Sequence, residues 1–151
     1  MPSVFQTTTH NLFESKTICM TKILIIDDDS DDSDLLRDAI QQIAPETDCT
    51  MVSSSDEALQ GVKTKKIPRP DLIFLDLNMP RVNGIQCLRE LKAEADIREI
   101  PVAIYTTSKS HDDQVESLKL GASYFVVKPS SFRQLCKVIS NIFTLELIQG
   151  A

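Results

Sequence analysis

Leu72-Ile73-Phe74-Leu75-Asp76-Leu77-Asn78-Met79-Pro80 sets four apolar residues ahead of a single carboxylate and then turns. A short, unbroken apolar run bounded by turn residues reads as a strand buried on both faces, because a strand with one wet face alternates apolar and polar residues. Pro68 and Pro70 punctuate the loop before it. Working outward, the same pattern recurs. Residues 23–26 run into Asp27-Asp28, residues 102–105 into Thr106-Thr107, and residues 124–127 into Lys128-Pro129, while residues 49–52 supply one more candidate strand.

Helical spacing fills the intervals. Leu36, Ala39, Ile40 and Ile43 recur on one helix face, which Pro45 closes. Ala58, Leu59 and Val62 follow the acids Asp56 and Glu57, which suit a helix N-terminus. Gly84 precedes a helix carrying Ile85, Leu88 and Leu91. Asp112 and Asp113 open a fourth, with Val115 and Leu118 expected inward and Gly121 as its C′ residue. Phe132, Leu135, Val138, Ile139, Ile142 and Phe143 mark the last. Five strands alternating with five helices predict a doubly wound α/β domain with a parallel sheet. In such folds a site lies outside the carboxyl ends of the strands.

Composition limits the alternatives. At 151 residues the chain suits one domain. We read residues 1–21 as an extension, or as sequence upstream of a start at Met20, residues 22–146 as the domain, and 147–151 as a tail. A net charge of −6 argues against nucleic-acid or anionic membrane surfaces, which need clustered Lys and Arg. Lys63, Lys65, Lys66 and Arg69 suit a helix C-terminus instead. Cys19, Cys49, Cys87 and Cys136 have no C-x-x-C spacing, and three of them sit in apolar patterns, as buried thiols of a cytoplasmic protein do.

The strand ends bring Asp27, Asp28 and Asp76 together with Thr106, Thr107 and Lys128. Two carboxylates about 4 Å apart repel by roughly 4 kcal/mol at an effective dielectric near 20. A hard cation such as Mg²⁺, which takes one or two carboxylates plus a phosphate, offsets that repulsion, and Lys128 adds a further positive charge. A carboxylate, a metal and an ammonium are the parts of phosphoryl transfer to an aspartate. Bland readings compete residue by residue: Asp29, Asp31, Asp32 and Asp34 suit helix capping, and His111 suits a solvated loop. Asp27-x-Asp29-x-Asp31 imitates a calcium loop, but Asp32 stands where that turn needs glycine.

Residues 23–28, Leu75-Asp-Leu-Asn-Met-Pro80, Tyr105-Thr-Thr and Val126-Val-Lys-Pro129, in that order, resemble the receiver domains of two-component response regulators. The resemblance spans about residues 22–143 and implies a flavodoxin-like strand order 2-1-3-4-5. It implies Asp76 as phosphoacceptor, with Mg²⁺ held by Asp27, Asp28, Asp76 and the main-chain carbonyl of Asn78. Thr106, Thr107 and Lys128 would bind the phosphoryl group, and Thr106 and Phe125 would form the switch. Asn78 and Ser108 would tune phosphoryl lifetime, and Pro129 would follow a cis peptide bond. Phe125 departs from the family's frequent tyrosine. The implied partner is a sensor histidine kinase or phosphotransfer protein. Self-association through the fourth helix, fifth strand and last helix is a further expectation. With nothing after residue 151 to form an output domain, output is expected by protein contact or phosphorelay. Residues 92–100 resemble a two-helix-turn insertion of regulators paired with phytochrome-like kinases. One rival reading is an aspartate-nucleophile phosphatase, but Asn78 stands where those enzymes carry their second acid; the other is a non-phosphorylated receiver-like module, but Asp76 and Lys128 are both kept.

Overall fold

The computed structural model describes residues 22–79 and 82–150. The expectations about residues 1–21, Cys19 among them, lie outside these. Strands β1 (Lys22–Ile26), β2 (Asp48–Val52), β3 (Leu72–Leu75), β4 (Val102–Thr106) and β5 (Tyr124–Val127) form one parallel sheet in the order β2-β1-β3-β4-β5. Helices α1 (Ser30–Ile43), α2 (Ser55–Lys63), α3 (Gly84–Ala93), α4 (His111–Lys119) and α5 (Phe132–Gly150) alternate with them. The predicted topology holds. α5 reaches Gly150, so residues 147–150 belong to the helix.

Strand side chains sort by the two-residue pleat. Ile23, Ile25, Leu72, Phe74, Ala103 and Tyr105 face one side, against Leu36, Ala39 and Ile40 of α1 and Leu135, Ile139, Ile142 and Phe143 of α5. Leu24, Ile26, Ile73, Leu75, Val102 and Ile104 face the other, against Ala58 of α2 and Cys87, Leu88 and Leu91 of α3. Both layers are dry, which is why β1, β3 and β4 read as solid apolar runs. Each fully buried aliphatic or aromatic side chain stabilises the fold by about 1.5–3 kcal/mol. Phe74 and Tyr105 meet edge to face, centroids 6.4 Å apart.

Four sequence expectations need correction. Leu118 is 43% exposed and Phe132 39%, and the buried residue of α4 is Ser117. α4 covers the sheet thinly, because its short run is mostly polar; an exposed ion pair between Arg89 and Glu116 joins it to α3. Residues 94–100 form successive turns, with Ile97 and Ile100 buried as anchors and Lys92 Nζ donating to the carbonyls of Arg98 and Ile100. Ile97 and Arg98 N–H both bond the Glu94 carbonyl and Ile100 N–H bonds that of Ile97, so the segment keeps helix-like turns that Lys92 ties down. His111 is exposed as anticipated but opens α4 instead of lying in a loop. Of the expected buried thiols, Cys87 is fully so, while Cys49 and Cys136 are half-buried.

Helix ends are built by local chemistry. Asp29 caps α1, its Oδ1 accepting from the N–H groups of Asp31 and Asp32. Asn83 caps α3 by accepting from Ile85 and Gln86. Gly84 is there because α3 starts hard against the loop after β3: a Cβ would lie 2.3 Å from Leu77 Cα. α4 ends at Gly121, φ +108°, whose N–H bonds the Leu118 carbonyl while Ala122 N–H bonds that of Ser117. That pair of bonds is a Schellman ending, which needs the left-handed residue that glycine supplies.

Candidate phosphoacceptor site

β1, β3 and β5 each deliver one charged residue to the same end of the sheet. Asp27 N–H donates to Val52 O and Asp76 N–H to Ile26 O, so both aspartates continue the ladder one residue past their strands. Lys128 N–H likewise donates to Thr106 O. Backbone hydrogen bonding therefore fixes the Cα positions of Asp27, Asp76 and Lys128 before any side chain is considered.

The Lys128 ammonium lies 3.2 Å from Asp27 Oδ2 and 3.3 Å from Asp76 Oδ2. These carboxylates are almost closed to solvent, at 2% and 7% exposure. Burying such a pair without a counter-charge costs several kcal/mol per ion. The second oxygen of each acid is also satisfied. Asp27 Oδ1 accepts from Asp29 N–H and Asp76 Oδ1 from Asn78 N–H, at 2.9 and 3.0 Å. Beneath the ammonium lies the Tyr105 ring, its centroid 5.2 Å away, a cation–π contact.

Two participants escaped the sequence reading. Asp32 places Oδ2 2.6 Å from Lys128 Nζ, the shortest of the three carboxylate contacts. It was expected to be a capping or first-turn acid, and the signal that could have exposed it is surplus: Asp29 alone caps α1. Tyr105 was quoted only as a motif residue. Burial pushes its phenol up to about 12, with the neighbouring acids adding to the rise against Lys128, so the ring stays neutral.

The remaining predicted residues form a second row. Asn78 is exposed, and its Nδ2 donates to Thr107 Oγ1 at 3.0 Å, linking the loops after β3 and β4. Thr106 is fully buried, with Oγ1 accepting from Ser108 N–H at 3.2 Å. Ser108 Oγ donates to Asp113 Oδ2 at 2.7 Å. Phe125 is half-buried against the α2–α3 side of the core. Asp28 is exposed. No cis peptide bond occurs among the described residues, so Lys128–Pro129 is trans, contrary to expectation. Trans is the lower-energy isomer of an X–Pro bond by about 0.5–1 kcal/mol.

The charges at the site do not cancel. Asp27, Asp32 and Asp76 carry −3 and Lys128 +1, leaving −2. Burial pushes the Asp27 carboxyl from 3.8 up to about 6, opposed by the Asp29 N–H and by Lys128 and reinforced by Asp76. Burial opposes the Lys128 charge as well, but the bond to Asp32 and the charges of Asp27 and Asp76 outweigh it and hold the ammonium protonated. The donors are hard oxygens, which fits a divalent cation such as Mg²⁺ or Mn²⁺. Among the described residues no three acid, histidine or cysteine side chains form a ready cage. Mg²⁺ needs none, since it retains water and uses one or two carboxylates. An open pocket of about 210 Å³ borders Asp27 and Asp28 on the side of Ser30, Ser53 and Glu57.

This charge arrangement has a measurable signature. An acid whose pKa rises on folding favours the folded state below its unfolded value of 3.8, and that contribution is lost as pH rises through about 6. In metal-free buffer the wild type is therefore expected to lose stability relative to Asp27→Asn as pH climbs across this window. Urea unfolding at several pH values checks it. A flat difference, or one that grows with the opposite sign, contradicts the burial of an ionised Asp27.

Residues 23–140 match the family described as the response regulator receiver domain. The chain belongs to that family. Among its relatives, response regulator Rcp1 of Synechocystis is 30% identical over 132 residues, covering 83% of this receiver and 90% of that protein. Chemotaxis protein CheY of Pseudomonas aeruginosa is 29% identical, covering 81% of the receiver and 95% of CheY. Among solved structures, the phosphorylated cyanobacterial phytochrome response regulator RcpA aligns with TM-score 0.76 at 28% identity, covering 85% of the receiver and 95% of that chain. Rcp1 in its Mn²⁺-bound form aligns with TM-score 0.67 at 29% identity, covering 84% and 94%. Receiver domains bind a divalent metal and work in two-component signalling with histidine kinases or phosphotransfer proteins. Among the described residues no helix of this receiver is long and apolar enough to cross a membrane.

Proposed function

We propose that this chain is a stand-alone, cytoplasmic response regulator that accepts a phosphoryl group on Asp76 from the phosphohistidine of a sensor kinase or phosphotransfer protein. One observation carries the reading: a single ammonium joins two solvent-excluded carboxylates from different strands at the carboxyl end of the sheet. Asp27, Asp28, Asp76 and the Asn78 carbonyl would hold Mg²⁺, which supplies charge neutralisation for the transferred group. An Asp76 oxygen attacks phosphorus as the P–N bond of the donor breaks, and the imidazole leaves with that electron pair and takes a proton from solvent. Lys128, Thr106 and Thr107 meet the phosphoryl oxygens. Asn78 and Ser108, anchored on Thr107 and Asp113, control how water reaches the acyl phosphate. The protein acts as a phosphoacceptor, not as an enzyme on an external substrate.

Output follows from Thr106. Its buried hydroxyl must leave Ser108 to reach a phosphoryl oxygen, which vacates space that Phe125 can fill. The face of α4, β5 and α5, where Leu118 of α4 and Val127 of β5 are exposed, would carry self-association or partner contact. The likeness to RcpA and to bacteriophytochrome response regulator RtBRR (TM-score 0.66, 29% identity) makes a phytochrome-type kinase the first donor to test. Beryllofluoride with Mg²⁺ is expected to alter hydrogen exchange across residues 106–128 and to leave α2 nearly unchanged. Thr106→Ala is expected to bind the mimic yet respond much less. An exchange change confined to α2, or one undiminished in Thr106→Ala, rules out this coupling route.

A further inference from the structure

Lys128 makes its shortest contact away from the acceptor. Its Nζ stands 2.6 Å from Asp32 Oδ2, against 3.2 Å to Asp27 and 3.3 Å to Asp76. Asp32 comes from the first turn of α1, where its own N–H is already capped by Asp29, so its carboxylate is not engaged in capping. Its side chain is 37% exposed.

We propose that Asp32 is a positioning residue that competes with Asp76 for the Lys128 ammonium and biases it toward α1 until a phosphoryl group draws it across. The inference rests on Asp76 being the phosphoacceptor. An ammonium has three donors and here faces three carboxylates, so the shortest charge-assisted bond sets where it rests. Asp27 and Asp76 cannot give the ammonium up without leaving a buried charge unpaired, which is costly. Asp32 can, because water replaces the ammonium at a side chain this open. A phosphoryl group adds roughly one further negative charge and three strong acceptors on the Asp76 side. The balance then tips: Lys128 moves to the phosphoryl oxygens and Asp32 turns to solvent. Asp32 thus lowers affinity for the phosphorylated form and keeps Lys128 in reserve.

Calorimetric titration of beryllofluoride at saturating Mg²⁺ tests this in the wild type, Asp32→Asn, Asp32→Glu and Asp31→Asn. Asp31 is an exposed first-turn acid, so its variant reports the effect of charge alone. Asp32→Asn is expected to bind the mimic about fivefold tighter, a charge-assisted bond discounted for exposure. Asp31→Asn should stay within about twofold of wild type, as a solvated charge does, and Asp32→Glu should restore wild-type affinity. The ¹⁵Nζ resonance of Lys128 in the unliganded protein should shift in Asp32→Asn and hold still in Asp31→Asn. Equal or weaker binding by Asp32→Asn, equal gains in both Asn variants, or an unmoved Lys128 resonance would overturn the proposal while the acceptor assignment stands. A wild type that binds no beryllofluoride overturns both.

Discussion

Incubated with a small acyl phosphate and Mg²⁺, the wild-type chain is expected to gain the mass of one phosphoryl group, and Asp76→Asn none. Position selects Asp76 over its neighbours. β3 is the central strand, flanked by β1 with Asp27 and by β4 with Thr106, and Lys128 reaches it from β5. Asp27 lies nearer the β2 edge, one strand farther from the hydroxyls that follow β4. A group attached to Asp76 is therefore surrounded by the ammonium, the hydroxyl donors and the acidic ligands together, whereas one on Asp27 is not. Asparagine is nearly isosteric and keeps an acceptor for Asn78 N–H, so the variant should fold. Loss of labelling then reports the missing nucleophile. Hydroxylamine should strip the label, as it does an acyl phosphate, and chelation should prevent it, because a site of net −2 repels an incoming phosphate. Mass spectrometry decides the matter. Undiminished label in Asp76→Asn, or label resistant to hydroxylamine, would overturn the assignment.

Much of this was legible because burial writes itself into sequence. A strand covered on both faces has no place for a polar residue, so β1, β3 and β4 appear as apolar runs and their ends can be read to within a residue. The residue that ends each run then stands at the site by topology alone, and this located Asp27, Asp76 and Thr106, with Lys128 following β5 at the edge. Residues whose role depends on side-chain direction were not legible. Asp32 looks like any first-turn acid, and only the path of α1 over the rim turns it toward Lys128. Leu118 keeps helical spacing with Val115 but faces solvent, and the residue of α4 that is buried is Ser117, which no apolar pattern could mark. The reach of Lys92 over the segment after α3, where its Nζ bonds the carbonyls of Arg98 and Ile100, leaves no mark in the sequence either. The isomer of Lys128–Pro129 is not encoded in the dipeptide, since either form lies within about 1 kcal/mol of the other.

Replacing Lys128 by Met should destabilise the metal-free protein by about 3 kcal/mol, the lower end of the cost of breaking a buried ion pair. Methionine matches the length and apolar stem of lysine, so packing over Tyr105 is retained and the change isolates the charge. Asp27 and Asp76, 2% and 7% exposed, are then left side by side without a cation. The cost stays at the lower end because Asp32 can turn to water and because a buried carboxylate can take up a proton. Proton uptake gives the prediction its pH sign. Asp27 already titrates near 6, and removing Lys128 removes one of the influences that hold it down, so its pKa rises further. The penalty should therefore be largest above pH 7 and shrink as pH falls through 6. Mg²⁺ offers a second way to neutralise the pair. Binding to the folded state stabilises it in proportion to RT ln(1 + [L]/Kd), so saturating Mg²⁺ should recover more stability in Lys128→Met than in the wild type. Urea unfolding with and without Mg²⁺, at pH 5.5 and 8 as rough brackets of that titration, checks each part. A variant as stable as wild type at high pH, or one that gains nothing extra from Mg²⁺, would mean that Lys128 does not neutralise the acidic site.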